Sequence, residues 1–133
     1  MSPATPSTSY ERDVQIAQVA LKGFRGITHQ WQCTAAERRA LLGGVIPETL
    51  ENEAGLPEVP LSGEVLERIS LLLGIYKALQ ELYPNHERAN RRIRLATSEP
   101  PFEGVSAMAF MTRGDIEQLA QTRRYFDAKL GWM

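Results

Sequence analysis

Apolar and polar positions alternate along this chain with the three-and-four spacing of one-sided helices, and no stretch shows a sustained period of two. Leu66, Ile69, Leu72, Leu73, Tyr76, Leu79 and Tyr83 form a broad stripe. It predicts a long central helix from Gly63 to about Tyr83, capped by Ser62 with Glu64 in its first turn and ended by Pro84. Upstream, Val14, Ala17 and Leu21, flanked by Ile16 and Ala20, predict a helix from Tyr10 to about Lys22 behind a Ser9 cap. Gly23 and Gly26 interrupt or end it, and the boundary before Ile27 stays open. Thr34-Ala35-Ala36-Glu37 is a capping box for a helix reaching Leu42, stopped by Gly43-Gly44. Pro47 suits the first turn of a short helix to about Ala54.

Beyond the central helix, Asn85 caps a segment from His86 to about Leu95. Two prolines stiffen an extended approach to Phe102, which the pattern places as an anchor on the core. Ser106 caps a short helix from Ala107 to Arg113, and Asp115 with Gln118 makes a second capping box. The last helix carries Ile116, Leu119, Arg123, Phe126 and Leu130 on one stripe, broken by the charge at Arg123. The expected fold class is all-α. Residues 1–8, rich in Pro, Ser and Thr, read as a disordered tail.

Composition narrows the function. The chain has 133 residues, 43% hydrophobic and 23% charged, enough for one domain or two small ones sharing a core. A single cysteine, Cys33, forms no internal disulfide. No apolar run reaches membrane-span length, and the first residues lack the basic start and apolar middle of a secretory signal. A cytoplasmic setting is expected. Fifteen Lys and Arg against sixteen Asp and Glu leave a formal net charge of -1, so any nucleic-acid contact must come from local clustering.

Enzyme chemistry finds little footing. There is no H-E-x-x-H, C-x-x-C or phosphate loop, and His29 and Cys33 straddle an expected helix start. No catalytic residue, metal site or cofactor is expected. Three short helices with a glycine turn between the second and third suggest a helix-turn-helix. The helix that would enter DNA reads PETLENEAG, however. Glu48, Glu51 and Glu53 repel phosphate and only Asn52 reads a base edge well, so the candidate DNA contacts are Arg38, Arg39 and Asn52, for a weak operator interaction. Arg88, Arg91 and Arg92 share a helix face with Arg94 nearby, either a solvated face or a patch for an acidic partner.

The word order LERI-LLLGIYKAL, a proline stop, ERAN, P-F-G-SA and a closing R-YFDA helix resembles the toxin-binding domain of the Xre/MbcA/ParS family of bacterial antitoxins. The likeness covers roughly the C-terminal half. It departs from the family at Arg92, where the pattern has Trp, and at Ala96-Thr97, where it has Pro-Asn. The resemblance implies an Xre-like helix-turn-helix domain over residues 9–65, joined by the long helix to a toxin-binding domain over 66–133. It implies a non-enzymatic antitoxin that blocks a RES-type, NAD-consuming toxin, forms a homodimer within a hetero-oligomeric complex and represses its own operon. By matched position its toxin-facing residues are Arg123, Arg124, Tyr125, Lys129, Leu130, Gly131 and Trp132. Trp, Tyr and Arg are also the types that dominate interface hot spots. The competing expectation is a helix-turn-helix transcriptional regulator whose C-terminal half serves for dimerisation.

Overall fold

A computed structural model of the chain describes residues 5–44 and 55–131. Among these residues the protein is all-α: six helices, no strand, and one isolated antiparallel bridge between Ala96 and Ser106. The helices are α1 (Thr5–Gln30), α2 (Ala35–Leu41), α3 (Gly63–Leu82), α4 (His86–Arg92), α5 (Ala107–Thr112) and α6 (Ile116–Lys129). The expected second helix of the helix-turn-helix, Pro47–Ala54, lies outside the described residues, and Asn52 with it.

Helix α1 is longer than the pattern suggested. It runs 26 residues through both glycines, and Ser9 lies within it rather than at its cap. It also begins at Thr5, inside the stretch expected as a tail. The second half supplies what the first half lacks. Ala17, Leu21, Phe24, Ile27, Thr28 and Trp31 are buried at alternating four- and three-residue spacing. Gly23 ends nothing: a Cβ there would sit 3.3 Å from Leu73, so its bareness lets α1 close on α3.

Helix α3 is the axis of the core, packed by α1, α4 and α6. Its buried face is rotated from the expected stripe. Val65, Ile69, Leu72, Ile75, Ala78 and Leu79 are buried, while Leu73 is 41% exposed and Leu66 and Tyr76 are half-buried. Arg68, which the pattern passed over, is buried in this face. Its guanidinium pairs with Glu64 at 3.0 Å and donates to the Leu41 carbonyl at 3.4 Å, at the C-terminal end of α2. A cation there meets the negative end of the helix dipole. Gly43, at φ 89°, covers it so closely that a Cβ would fall 2.9 Å from Arg68 Cζ.

Apart from Ser9, the caps expected from the sequence are found where the structure describes them. Thr34 and Glu37 close the capping box on α2, Ser62 caps α3, Asn85 caps α4, Ser106 caps α5, and Asp115 with Gln118 closes the box on α6. Helix α4 stops at Arg92, short of Leu95, because the chain turns there to carry Arg94 back to the first half.

Arg94 ties the ends of the fold together. Its Nε donates to the Trp31 carbonyl at 3.0 Å and Nη2 to the Gln32 carbonyl at 3.1 Å, just past the end of α1. Nη1 and Nη2 grip the Glu37 carboxylate at 3.0 and 2.7 Å. The Arg94 hydrogen bond holds the Glu37 carboxyl below its ordinary value, against the opposing effect of partial burial, and the Thr34 backbone bond adds to the lowering. Arg94→Ala should therefore lower stability at neutral pH by about 1–2 kcal/mol, since the site is partly exposed. Glu37 has a lowered folded pKa, so its contribution is present above its ordinary value of 4.5 and fades as pH falls through the lower folded value. Denaturant melts of both proteins should differ by a constant amount above about pH 5.5, and the gap should narrow in more acid solution to what the two carbonyl bonds contribute. A gap that widens toward acid would contradict this account.

Candidate functional site

The candidate surface is built on the last helix and its neighbours. Helix α6 turns Leu119, Thr122 and Phe126 into the core, and Thr122 satisfies its hydroxyl on the Gln118 carbonyl at 2.8 Å. The remaining face carries the charged and aromatic residues singled out from the sequence.

Tyr125 is half-buried and packed edge-on against Phe102, with ring centroids 4.9 Å apart, and against Phe126 at 5.0 Å. Phe102 is buried and meets Phe110 edge-on at 5.3 Å, so the expected anchor is the centre of an aromatic cluster. Such edge-to-face pairs add about 0.5–1.5 kcal/mol beyond buried area. The Tyr125 hydroxyl donates to the Glu99 carboxylate, and Lys129 Nζ reaches the same carboxylate at 3.2 Å while lying 5.2 Å from the Tyr125 ring centroid. Glu99 is held below the ordinary carboxylate range by the Tyr125 hydrogen bond first and by Lys129 second. Lys129 is raised in turn by its hydrogen bond to Glu99.

Arg123 and Arg124 lie apart from this knot. Arg124 is exposed and pairs with Glu117 at 3.1 Å, a contact of little energetic weight at that exposure. Arg123 pairs with Asp127 at 3.4 Å and lies flat across Gly74 of α3. Its charge breaks the apolar stripe without being buried: the side chain crosses the helix contact at Gly74 and is 40% exposed. Leu130 is half-buried against the core, and Gly131 follows at φ 83°. Trp132 lies outside the described residues.

The basic residues of α4 and Arg94 just beyond it do not act as one patch. Arg88 is exposed over the Tyr83 ring, with its Cζ 5.8 Å from the centroid. Arg92 is half-buried over Phe126 at 5.3 Å, Arg91 is exposed, and Arg94 is committed to the interhelical clamp. Arg94 is paired with Glu37, fifty-seven residues away in the chain. Arg38 and Arg39, the remaining DNA candidates, stand in the last turn of α2, half-buried and exposed respectively.

Sequence reasoning missed two features. One is an apolar groove between α1 and α3, about 510 Å³, whose walls include Ile16, Val19, Leu66 and Leu73. Ile16 and Val19 are 45% and 71% exposed, a signal that was visible as apolar positions on the wrong side of α1. The other is a polar cleft of about 440 Å³ between the end of α3, α4, the 97–99 loop and α6. No local spacing announces it, because its walls come from four segments.

His29 is exposed and Cys33 half-buried. Among the described residues no three of His, Cys, Asp and Glu come together as metal ligands would. Burial, with Glu37 adding to it, pushes the Cys33 thiol up from 9.0 to about 12.

The described residues form a small all-α protein in which Phe102, Phe110, Tyr125 and Phe126 cluster beneath the charged outer side of α6. No protein-family model matches the chain. The chain is 30% identical over 133 aligned positions to the uncharacterized protein y4oB of Sinorhizobium fredii, with 98% of this chain and 99% of that protein covered, and it belongs to that protein's family. No helix among the described residues is long and apolar enough to cross a membrane.

Two outcomes test the geometry. A thiol at about 12 rather than 9.0 loses on the order of a thousandfold in thiolate, of which greater nucleophilicity returns roughly thirtyfold. Ellman's reagent should thus react with Cys33 in the folded protein at least roughly thirtyfold more slowly than in denaturant at the same pH. Equal rates would remove the burial argument. Separately, a Cβ at Gly74 would sit 2.4 Å from Arg123 Cζ, so Gly74→Ala must swing the guanidinium aside. Helix propensity favours Ala by up to about 1 kcal/mol, so melting should hold or rise while the Arg123 Nε–H resonance moves. A marked drop in melting temperature would mean that Arg123 is fixed where it lies.

Proposed function

We propose that the chain is an antitoxin that binds a cognate RES-type toxin, an NAD-consuming enzyme, and blocks its substrate cleft. The support from sequence is the run of unlike words between Leu66 and Asp127 that resembles the toxin-binding domain of the Xre/MbcA/ParS antitoxins. The observation that carries it is the division of α6. Leu119, Thr122 and Phe126 hold the helix in the core, and Arg123, Arg124, Tyr125 and Lys129 are left at least partly open on its outer side, beside the Leu130–Gly131 tail. Arg and Tyr presented from a packed helix are the residue types that anchor protein interfaces. On this reading the chain is a homodimer within a larger toxin complex in the cytoplasm. The apolar groove of α1 and α3 supports a self-association surface, being an exposed patch of the kind that seldom stays bare. Operator DNA is contacted weakly, through Arg38 and Arg39 of α2 and Asn52.

The test pairs the chain with the product of its neighbouring gene. Co-expression should relieve growth arrest by that product, and the two should co-purify. Deleting residues 132–133 should leave the helical signal and melting unchanged while affinity for the toxin falls roughly thirtyfold, the loss of about 2 kcal/mol expected for one anchoring Trp. Deleting 130–133 should also lower melting, since Leu130 packs on the core. Full inhibition by the shorter-tailed chain would move the contact surface away from the tail. A neighbouring product that is neither toxic nor bound would refute the antitoxin reading itself.

A further inference from the structure

The polar cleft beside Glu99 has an unbalanced wall. Arg92 enters it from α4, half-buried, with its guanidinium over the Phe126 ring. One terminal nitrogen of that guanidinium is buried and has no acceptor. Among the described residues no carboxylate forms an ion pair with it. Glu99 shares the cleft and feels the Arg92 charge, but it forms no ion pair with Arg92, and its Oε1 is held by the Tyr125 hydroxyl and by Lys129. A half-desolvated guanidinium without an acceptor is costly, and its planar fork matches a carboxylate better than any other common group.

Two cations, Arg92 and Lys129, face one carboxylate, Glu99, across this wall. The balance of one positive charge fits a monoanion, and Glu99 opposes a dianionic phosphate. Hydroxyls of Tyr83, Thr97 and Ser98 complete the lining with neutral donors. The cleft is large enough for a carboxylate on a short carbon chain, with a volume of about 440 Å³.

We infer that this cleft binds a carboxylate group, with Arg92 as its principal contact, presented by an acidic side chain of a protein partner or by a small free acid. The inference requires the cleft and Arg92 alone, and it stands whether or not the partner is a toxin.

The experiment is a nitrogen–proton NMR titration of the full chain at constant ionic strength. Three probes are used: sodium acetate, a blocked Gly-Glu-Gly tripeptide and its Gly-Gln-Gly counterpart. Saturable shifts at Thr97, Ser98 and Glu99 are expected with at least one of the acids and not with the Gln peptide. Shifts with acetate assign the cleft to free acids, and shifts with the Glu peptide alone assign it to a partner's side chain. Arg92→Gln should weaken the response roughly tenfold or more with unchanged helical signal, as expected for losing a charge-assisted pair. If that variant fails to fold, Lys129→Gln at its exposed position removes the net positive charge and should weaken binding roughly threefold. Absence of saturation with both acids, an equal response to the Gln peptide, or an affinity untouched by the folded variant would overturn the inference.

Discussion

Arg94 holds the joint on which the rest of the fold depends. An α-helix ends with unsatisfied carbonyls, and α1 ends beside the start of α2. One guanidinium answers both needs. It takes the Trp31 and Gln32 carbonyls that follow α1 and grips Glu37, whose carboxylate also accepts from the Thr34 backbone N–H in the capping box of α2. Trp31 is then fixed deep in the core with its ring 6.2 Å from that of Tyr76 on α3. The angle between the first two helices and the seating of α1 on the central helix are thus set by a residue from the second half of the chain. One hydrophobic cluster, with members from Leu21 to Phe126, lies beneath that joint.

What was legible in the sequence was local. Capping boxes, proline stops and the Phe102 anchor depend on contacts within a few residues, and their geometry matches the pattern. What was illegible was long-range. Gly23 looks like a stop because glycine weakens an isolated helix. Packing against Leu73 outweighs that local cost. The buried face of α3 was misjudged by rotation, since a helix with neighbours on several sides is apolar over most of its circumference and its stripe has no sharp edge. Arg68 shows the same limit. A charge in an apolar stripe reads as a surface residue until the Leu41 carbonyl and the bare Gly43 that receive it are placed.

The candidate site was legible as a list and illegible as a geometry. Arg123, Arg124, Tyr125 and Lys129 do share the outer side of α6, but they belong to three different local structures. Arg123 rides on Gly74, Arg124 pairs with Glu117 in solvent, and Tyr125 with Lys129 closes on Glu99. The α4 arginines divide likewise, which a helical wheel cannot reveal because it assigns faces and not neighbours. A net charge near zero hides this sorting completely.

The aromatic cluster explains how a short helix near the end of a chain can present a defined surface. Tyr125 is gripped edge-on by Phe102 and Phe126, and its hydroxyl and Lys129 share Glu99. Those contacts fix rotamers that a solvated Tyr and Lys would otherwise sample, so less conformational entropy remains to be lost when a partner arrives. The same cluster offers the Phe126 ring on which the Arg92 guanidinium lies. Core and surface at this end are therefore one construction. The packing that stabilises α6 also positions the charges that a partner would meet, and a change to Phe102 or Phe126 would alter recognition through the shape of the surface even though neither side chain touches the solvent.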